Sequence, residues 1–369
     1  MEVYIIIIAL LVVLSLVYDF NIKKQGSEGF YYLMLVLLVA LAGFRGDIGS
    51  DTITYHSWFN SLPTDFVKAI NYNRFEPLFV IVSVIIKRIF GSWLAAQIIF
   101  ALILNAAVFW FIKKHTDFKF LAVLLYFISS FYFLNCEEMR QATGFAFVLM
   151  ASEFLGKSKF NWKYFALILV ATVFHYGSLF FILLPFLPNV FDKKILTFSI
   201  LLLAYIAVGF LRNNFTYYAI LLDTFLNIST VSGYADGSYV EMANRTIMNY
   251  INLLITNIAI PMCLFYIGKE RSEHMYKWLF LSLIVSIAAI AMTLFYRYSH
   301  LLSIPSCVII CIACEKAFAK HSSSFFIKAF VILAVLINIY TAFSTYTIEN
   351  DFLGTSFSEN FIPYTTFTD

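Results

Sequence analysis

The chain has 369 residues, of which 61% are hydrophobic, 19% aromatic and only 13% charged, with a formal net charge of +3 and a mean hydropathy of +0.83. Apolar runs of roughly 18 residues or more recur from end to end, which excludes a soluble domain. They are continuous rather than alternating, which excludes a β-barrel, and the small, dispersed positive charge gives no support to nucleic-acid binding.

The expected fold is therefore an all-α polytopic membrane protein forming a single integral membrane domain over 1–369. Apolar runs lie at about 3–20, 29–44, 77–90, 93–112, 118–135, 139–155, 162–187, 195–211, 246–267, 276–296, 299–318 and 325–345, which predicts about 12 hydrophobic helices. The first run lacks a basic flank and a small-residue cleavage site and is read as a retained helix. Two runs are irregular. Pro77–Phe90 is short and ends in Lys87-Arg88. The 162–187 run is interrupted by His175-Tyr176-Gly177-Ser178, with Pro185 near its end. Cys307, Cys311 and Cys314 fall at helical spacing inside one run, as small packing residues would.

Orientation follows from the basic residues. With Lys23-Lys24 inside, keeping Lys113, Lys114 and Lys119 inside requires 77–112 to cross once in net terms, so 77–90 is re-entrant or surface-lying on the outer side. Keeping Lys193-Lys194 inside requires 162–190 to turn back on itself, with the His175 break at its outer tip. This places 15 of 17 lysines inside but seven of eight arginines outside: Arg45, Arg74, Arg88, Arg140, Arg212, Arg245 and Arg297. Isolated arginines on the disfavoured side fit an anionic ligand better than they fit a topology signal, although snorkelling and pairing with acids also account for them.

Two long polar loops, about 45–76 and 212–245, fall outside. The first opens with GFRGDIGSDTITY, where Arg45 is a bidentate donor suited to phosphate, and Asp47 and Asp51 balance charge or act as a base. Tyr55, Trp58, Phe59 and Tyr72 are placed to stack on sugar faces. Arg74-Phe75-Glu76-Pro77 reads as a helix start, with Pro77 at its first position and Glu76 as a first-turn acid or a second carboxylate of a site. In NCEEMRQ (135–141), Arg140 opens the next helix, where the helix dipole disfavours it; a bound phosphate would remove that conflict. His175, an ionisable residue within an apolar run, is a candidate general base or a neutral core histidine. Tyr296-Arg297-Tyr298-Ser299-His300 is expected to close an outer helix end. Nucleotide, zincin and hydrolase motifs are lacking, so the predicted site is outward-facing, arginine-rich and free of metal and cofactor, and it suits a lipid-linked anionic substrate.

RGDIGSDTITY, RFEPLFVIVSVIIKRIFG, EEMRQATGFAF and VFHYGSLFFILLPFL, in that order, resemble successive blocks of the EpsG-like branch of Wzy-type polysaccharide polymerases. Tyr296-Arg297-Tyr298 and Ile362-Pro363-Tyr364 resemble its last two blocks, and Phe79 departs from the residue expected after Glu-Pro. The resemblance implies a metal-independent, GT-C-like bundle in the bacterial inner membrane. It would polymerise O-antigen, capsule or exopolysaccharide repeat units carried on undecaprenyl pyrophosphate at the outer face. The expected partners are that lipid-linked oligosaccharide, membrane lipid, a chain-length regulator and a flippase, with no nucleic acid. On this reading Arg45, Arg140 and Arg297 hold the pyrophosphate, helped by Arg74, Glu76, Tyr55 and Tyr296. His175 is the first choice for the base and Asp51 the second. A glycan ligase and a lipid-linked oligosaccharide flippase are the competing readings.

Overall fold

Nearly every apolar run becomes a helix in the computed structural model, which describes residues 2–20, 26–71, 75–155, 160–211, 247–272, 275–290, 294–319, 324–347, 362 and 364–366. The described residues contain no strand, only an isolated antiparallel bridge between Arg45 and Thr366. Among the described residues, five helices are long and apolar enough to cross a membrane: Glu2–Asp19, Trp93–His115, Tyr250–Ile267, Phe295–Phe318 and Phe325–Ala342. The chain divides into two compact units, one of residues 1–186, 342–349 and 355–369, the other of residues 187–341 and 350–354. Arg74, Tyr72 and the whole 212–245 loop, with Arg212 and Arg245, lie outside the described residues.

The first unit contains α1 (Glu2–Leu14), α2 (Ser27–Gly43), α3 (Ser50–Ser61), α4 (Phe66–Asn71), α5 (Pro77–Phe90), α6 (Trp93–His115), α7 (Lys119–Ser129), α8 (Met139–Ala151) and α9 (Trp162–Phe174), followed by a 3₁₀ stretch at Tyr176–Phe186. The segment expected as a polar loop at 45–76 is instead largely helical. Its alternation of short polar and aromatic residues carries little membrane-type hydropathy, yet α3 and α4 bury Tyr55, Phe59 and Ala69, with Leu62 buried just after α3. Both are held by α5. Lys87 Nζ donates to the carbonyls of Phe59, Asn60 and Leu62 at 2.8, 2.7 and 2.9 Å. It thereby satisfies orphan carbonyls at the C-terminus of α3, where a cation also suits the dipole. Arg88 Nε donates to Thr64 O at 2.7 Å. The Lys87-Arg88 pair thus ties one element to another.

α5 begins where Pro77 occupies the first turn behind the N-cap Glu76, and it ends at Gly91, whose φ of 64° supplies the left-handed cap. Its 14 residues span about 21 Å at 1.5 Å per residue, short of the roughly 30 Å hydrocarbon core. The 162–187 run doubles back. α9 stops at His175, which is extended (φ −157°, ψ 118°), and Tyr164 Oη then donates to Phe181 O at 2.5 Å across 17 residues. Rings at the far ends meet as well, Phe160 on Phe186 at 5.5 Å. The expected break at His175 is therefore the tip of a helical hairpin.

The second unit contains α10 (Lys194–Leu211), α11 (Ile247–Leu254), α12 (Ile260–Ile267), α13 (Tyr276–Ala288), α14 (Leu294–Phe318) and the part of α15 (Phe325–Thr347) up to Thr341. Tyr296 to His300 does not close a helix, as the apolar runs predicted; it lies in the first turns of α14. α13 ends at Ala288 and α14 begins at Leu294, so the aromatic residues fall after the break rather than before it.

Candidate functional site

Four segments of the first unit bring ionisable groups together, three of them at helix ends. Glu76 stands at the N-cap of α5, Arg140 in the first turn of α8, His175 at the hairpin tip and Tyr55 on α3. Arg140 Nη1 donates to Glu76 Oε2 at 2.6 Å, and Arg140 Nε donates to Tyr55 Oη at 3.1 Å. His175 Nδ1 lies 2.8 Å from Glu76 Oε1, which also receives the Tyr176 N–H at 3.4 Å. The Arg140 guanidinium lies 4.1 Å from the centre of the Phe75 ring, a cation–π contact that holds its plane. Glu76 is buried, its side chain 6% exposed, while Arg140 and His175 each keep 23%.

The local sequence explains the placement. Pro77 fixes the start of α5, so the preceding Glu76 adopts an extended backbone (φ −65°, ψ 143°) and turns its carboxylate away from the helix. Gly144, one turn after Arg140, lets the hairpin approach α8. A Cβ there would lie 2.7 Å from Ser178 Oγ and 2.9 Å from Ala171 O. The dipole conflict expected for Arg140 at a helix N-terminus is resolved by the Glu76 carboxylate. Burial alone would raise the Glu76 carboxyl, but the His175 hydrogen bond and the Arg140 charge outweigh it and hold the group at about 2. Burial, with the charges of Asp51 and Glu76, raises the Tyr55 phenol above its usual range, and Arg140 opposes this.

Tyr55 is 5% exposed, its ring against Phe75 and Phe79 at 5.8 and 6.1 Å. It presents no open face for a sugar and acts instead through its hydroxyl on Arg140. Phe59 is enclosed too. Asp51 lies one turn before Tyr55 on α3 and is half-buried. Arg45 is only 1% exposed. Its Nη1 donates to Ala42 O near the C-terminus of α2, and its Nε and Nη2 have no hydrogen-bond partner among the described residues. The chain near its other end covers this corner, with Gly46 N donating to Thr365 O at 2.8 Å and Tyr364 Oη to Leu41 O at 2.9 Å. Arg297 and Tyr296 belong to the second unit, both exposed near the start of α14, with the Tyr296 ring edge-on to His300 at 4.7 Å. Arg74 lies outside the described residues.

The sequence reading left Glu76 between a first-turn acid and a site carboxylate, and missed Phe75 and Gly144. The Phe-Glu-Pro order held the signal, since an acid fixed directly before a proline-started helix is a preset side chain. Among the described residues no group of three His, Cys, Asp or Glu is arranged to hold a metal ion. No curated protein and no solved structure is detectably similar to the chain. The family model of the EpsG family matches residues 28–366, a stretch that includes every segment contributing to the cluster. On that match over nearly its whole length, this multi-pass helical chain belongs to the EpsG family.

Proposed function

We propose that the protein polymerises oligosaccharide repeat units carried on a polyprenyl pyrophosphate, at the outer face of a bacterial inner membrane. Membership of the EpsG family supports a polymerase-like role in polysaccharide biosynthesis. The observation that carries the chemistry is the acid–base cluster of Glu76, Arg140 and His175, gathered from three separate segments at helix ends.

In this reading His175 removes the proton from an acceptor sugar hydroxyl. The hydroxyl oxygen forms a bond to the anomeric carbon of the donor sugar. The bond from that carbon to the pyrophosphate oxygen breaks, and its electron pair leaves with the lipid pyrophosphate. The proton held on His175 is then released to the leaving group or to water. Arg140, partly exposed beside the histidine, stabilises the charge that develops on the pyrophosphate. The pyrophosphate linkage is already activated, so no nucleotide is required. Glu76 is unsuited to be the base, since both of its oxygens are engaged and its carboxyl is held near 2.

The test is the length distribution of lipid-linked glycan in cells lacking the native gene and supplied with wild type, His175→Gln or Arg140→Lys. The variants should insert normally and leave single repeat units. General-base loss costs about 10²–10⁴-fold in rate, and loss of one contact to a developing charge about 10²–10³-fold. Full-length chains that are made but not transferred would identify a ligase. Absence of any outward-facing material would identify a flippase.

A further inference from the structure

We propose that Glu76 is a positioning residue that fixes the tautomer of His175, leaving Nε2 as the atom that takes the proton from the acceptor hydroxyl. This rests on the reading of His175 as the base. An ionised carboxylate only accepts hydrogen bonds. At 2.8 Å from Glu76 Oε1, Nδ1 must therefore carry the proton and donate. A neutral imidazole has one N–H, so Nε2 bears the lone pair.

The carboxylate is itself unable to turn away. Oε2 is held by Arg140 Nη1 at 2.6 Å and Oε1 also receives the Tyr176 N–H at 3.4 Å. Arg140 is in turn fixed by Tyr55 Oη at 3.1 Å and by the Phe75 ring at 4.1 Å. Tyr55, Arg140, Glu76 and His175 thus form one chain of contacts across α3, α8, the start of α5 and the hairpin tip. Within it the carboxylate is buried and the imidazole at its end more open, at 6% and 23% side-chain exposure. When His175 takes the proton, the imidazolium forms against a carboxylate already in place. The charge is stabilised without rearrangement, as in a histidine–carboxylate pair of a hydrolase. The covalent balance is that of the glycosyl transfer above; Glu76 gains and loses no proton.

The test uses full-length protein labelled with ¹⁵N-histidine in detergent, at a pH where the ring is neutral. With six histidines in the chain, comparison with His175→Gln identifies the His175 signals. Wild type should show a protonated Nδ1 and an unprotonated Nε2. In Glu76→Gln, which keeps the size and a carbonyl acceptor for Arg140, the ring should shift towards the Nε2–H tautomer. Chain growth in cells should fall on the order of 10²–10⁴-fold, as expected when a base is held in the wrong tautomer. A wild-type ring with its proton on Nε2, or a Glu76→Gln ring with an unaltered tautomer, overturns the proposal while leaving the base reading intact. Wild-type chain growth by His175→Gln overturns the base reading, and the proposal with it.

Discussion

Arg45 and Arg140 lie in the same compact unit, each beside a helix end, and differ in what surrounds them. Arg45 follows the C-terminus of α2, where its Nη1 meets the Ala42 carbonyl. A cation there is favoured by the helix dipole and by orphan carbonyls. It is enclosed, with the 364–366 segment laid over the neighbouring backbone. Arg140 opens α8, where the dipole opposes it, and it is offset by a carboxylate brought from another helix. An arginine at a helix C-terminus is favoured by the helix itself, which meets Nη1 of Arg45 but leaves its Nε and Nη2 without a partner among the described residues. One at an N-terminus needs a specific acid or anion, and its presence there points to a site. On this comparison we propose a structural task for Arg45 and a chemical one for Arg140.

The largest expected effect separates the two directly. Arg140→Ala removes a partner from the buried Glu76, which should cost about 3 kcal/mol, at the low end for a buried pair because Arg140 is partly accessible. It should also end chain growth. Arg45→Gln should lower stability by about 1 kcal/mol through the lost helix-end contact while chain growth per folded molecule stays within a few-fold of wild type. Thermal melts in detergent, paired with glycan length profiles, read both quantities. An inactive but normally stable Arg45→Gln would break the comparison. Combining Arg140→Gln with Glu76→Gln should recover much of the stability, since no buried charge is left alone, without recovering activity.

A smaller effect is expected at the approach of α8 to the hairpin. Gly144→Ala places a methyl group 2.9 Å from the Ala171 carbonyl. Relief by a shift of the hairpin should cost about 1–3 kcal/mol and slow chain growth, because the His175 tip moves with it. Normal rate and stability would show that the tip tolerates displacement.

The Glu76 pairing also has a pH signature. Its carboxyl lies at about 2 in the folded protein against an ordinary 4.5. The pairing therefore contributes its full stabilisation above about pH 4.5, and the contribution is lost as pH falls from there towards 2. Melting temperatures of wild type should consequently drop more steeply than those of Glu76→Gln between pH 6 and the lowest pH the detergent-solubilised protein tolerates, roughly 3. Parallel curves would contradict the pairing.

The smallest effect lies at the Arg45 corner. A Cβ on Gly46 would meet Thr366 O at 2.8 Å and Thr365 Oγ1 at 2.7 Å. Gly46→Ala should loosen the 364–366 segment at a cost of about 1 kcal/mol, seen as faster protease cleavage near the chain's last residues, with chain growth unchanged. Loss of growth would restore Arg45 to the chemistry.

Hydropathy and punctuation by themselves determined that this is a multi-pass helical membrane protein, placed α5 between Glu76-Pro77 and Gly91, and marked the interruption at His175. These are local properties, set by residues within a turn or two of one another. The helices α3 and α4 within the expected loop at 45–76 were not legible because short polar and aromatic helices bury their faces only against other elements, here α5 and α6. Only the tertiary structure decided that Glu76 meets His175 across 99 residues and Arg140 across 64. It likewise decided that Tyr364 folds back to Leu41 across 323 and encloses the Arg45 corner. The reason is physical: a charge's partner and its exposure are set by which distant segments meet, and burying a charge costs least where such a meeting supplies its counter-charge or hydrogen bonds. The order of residues along the chain records neither.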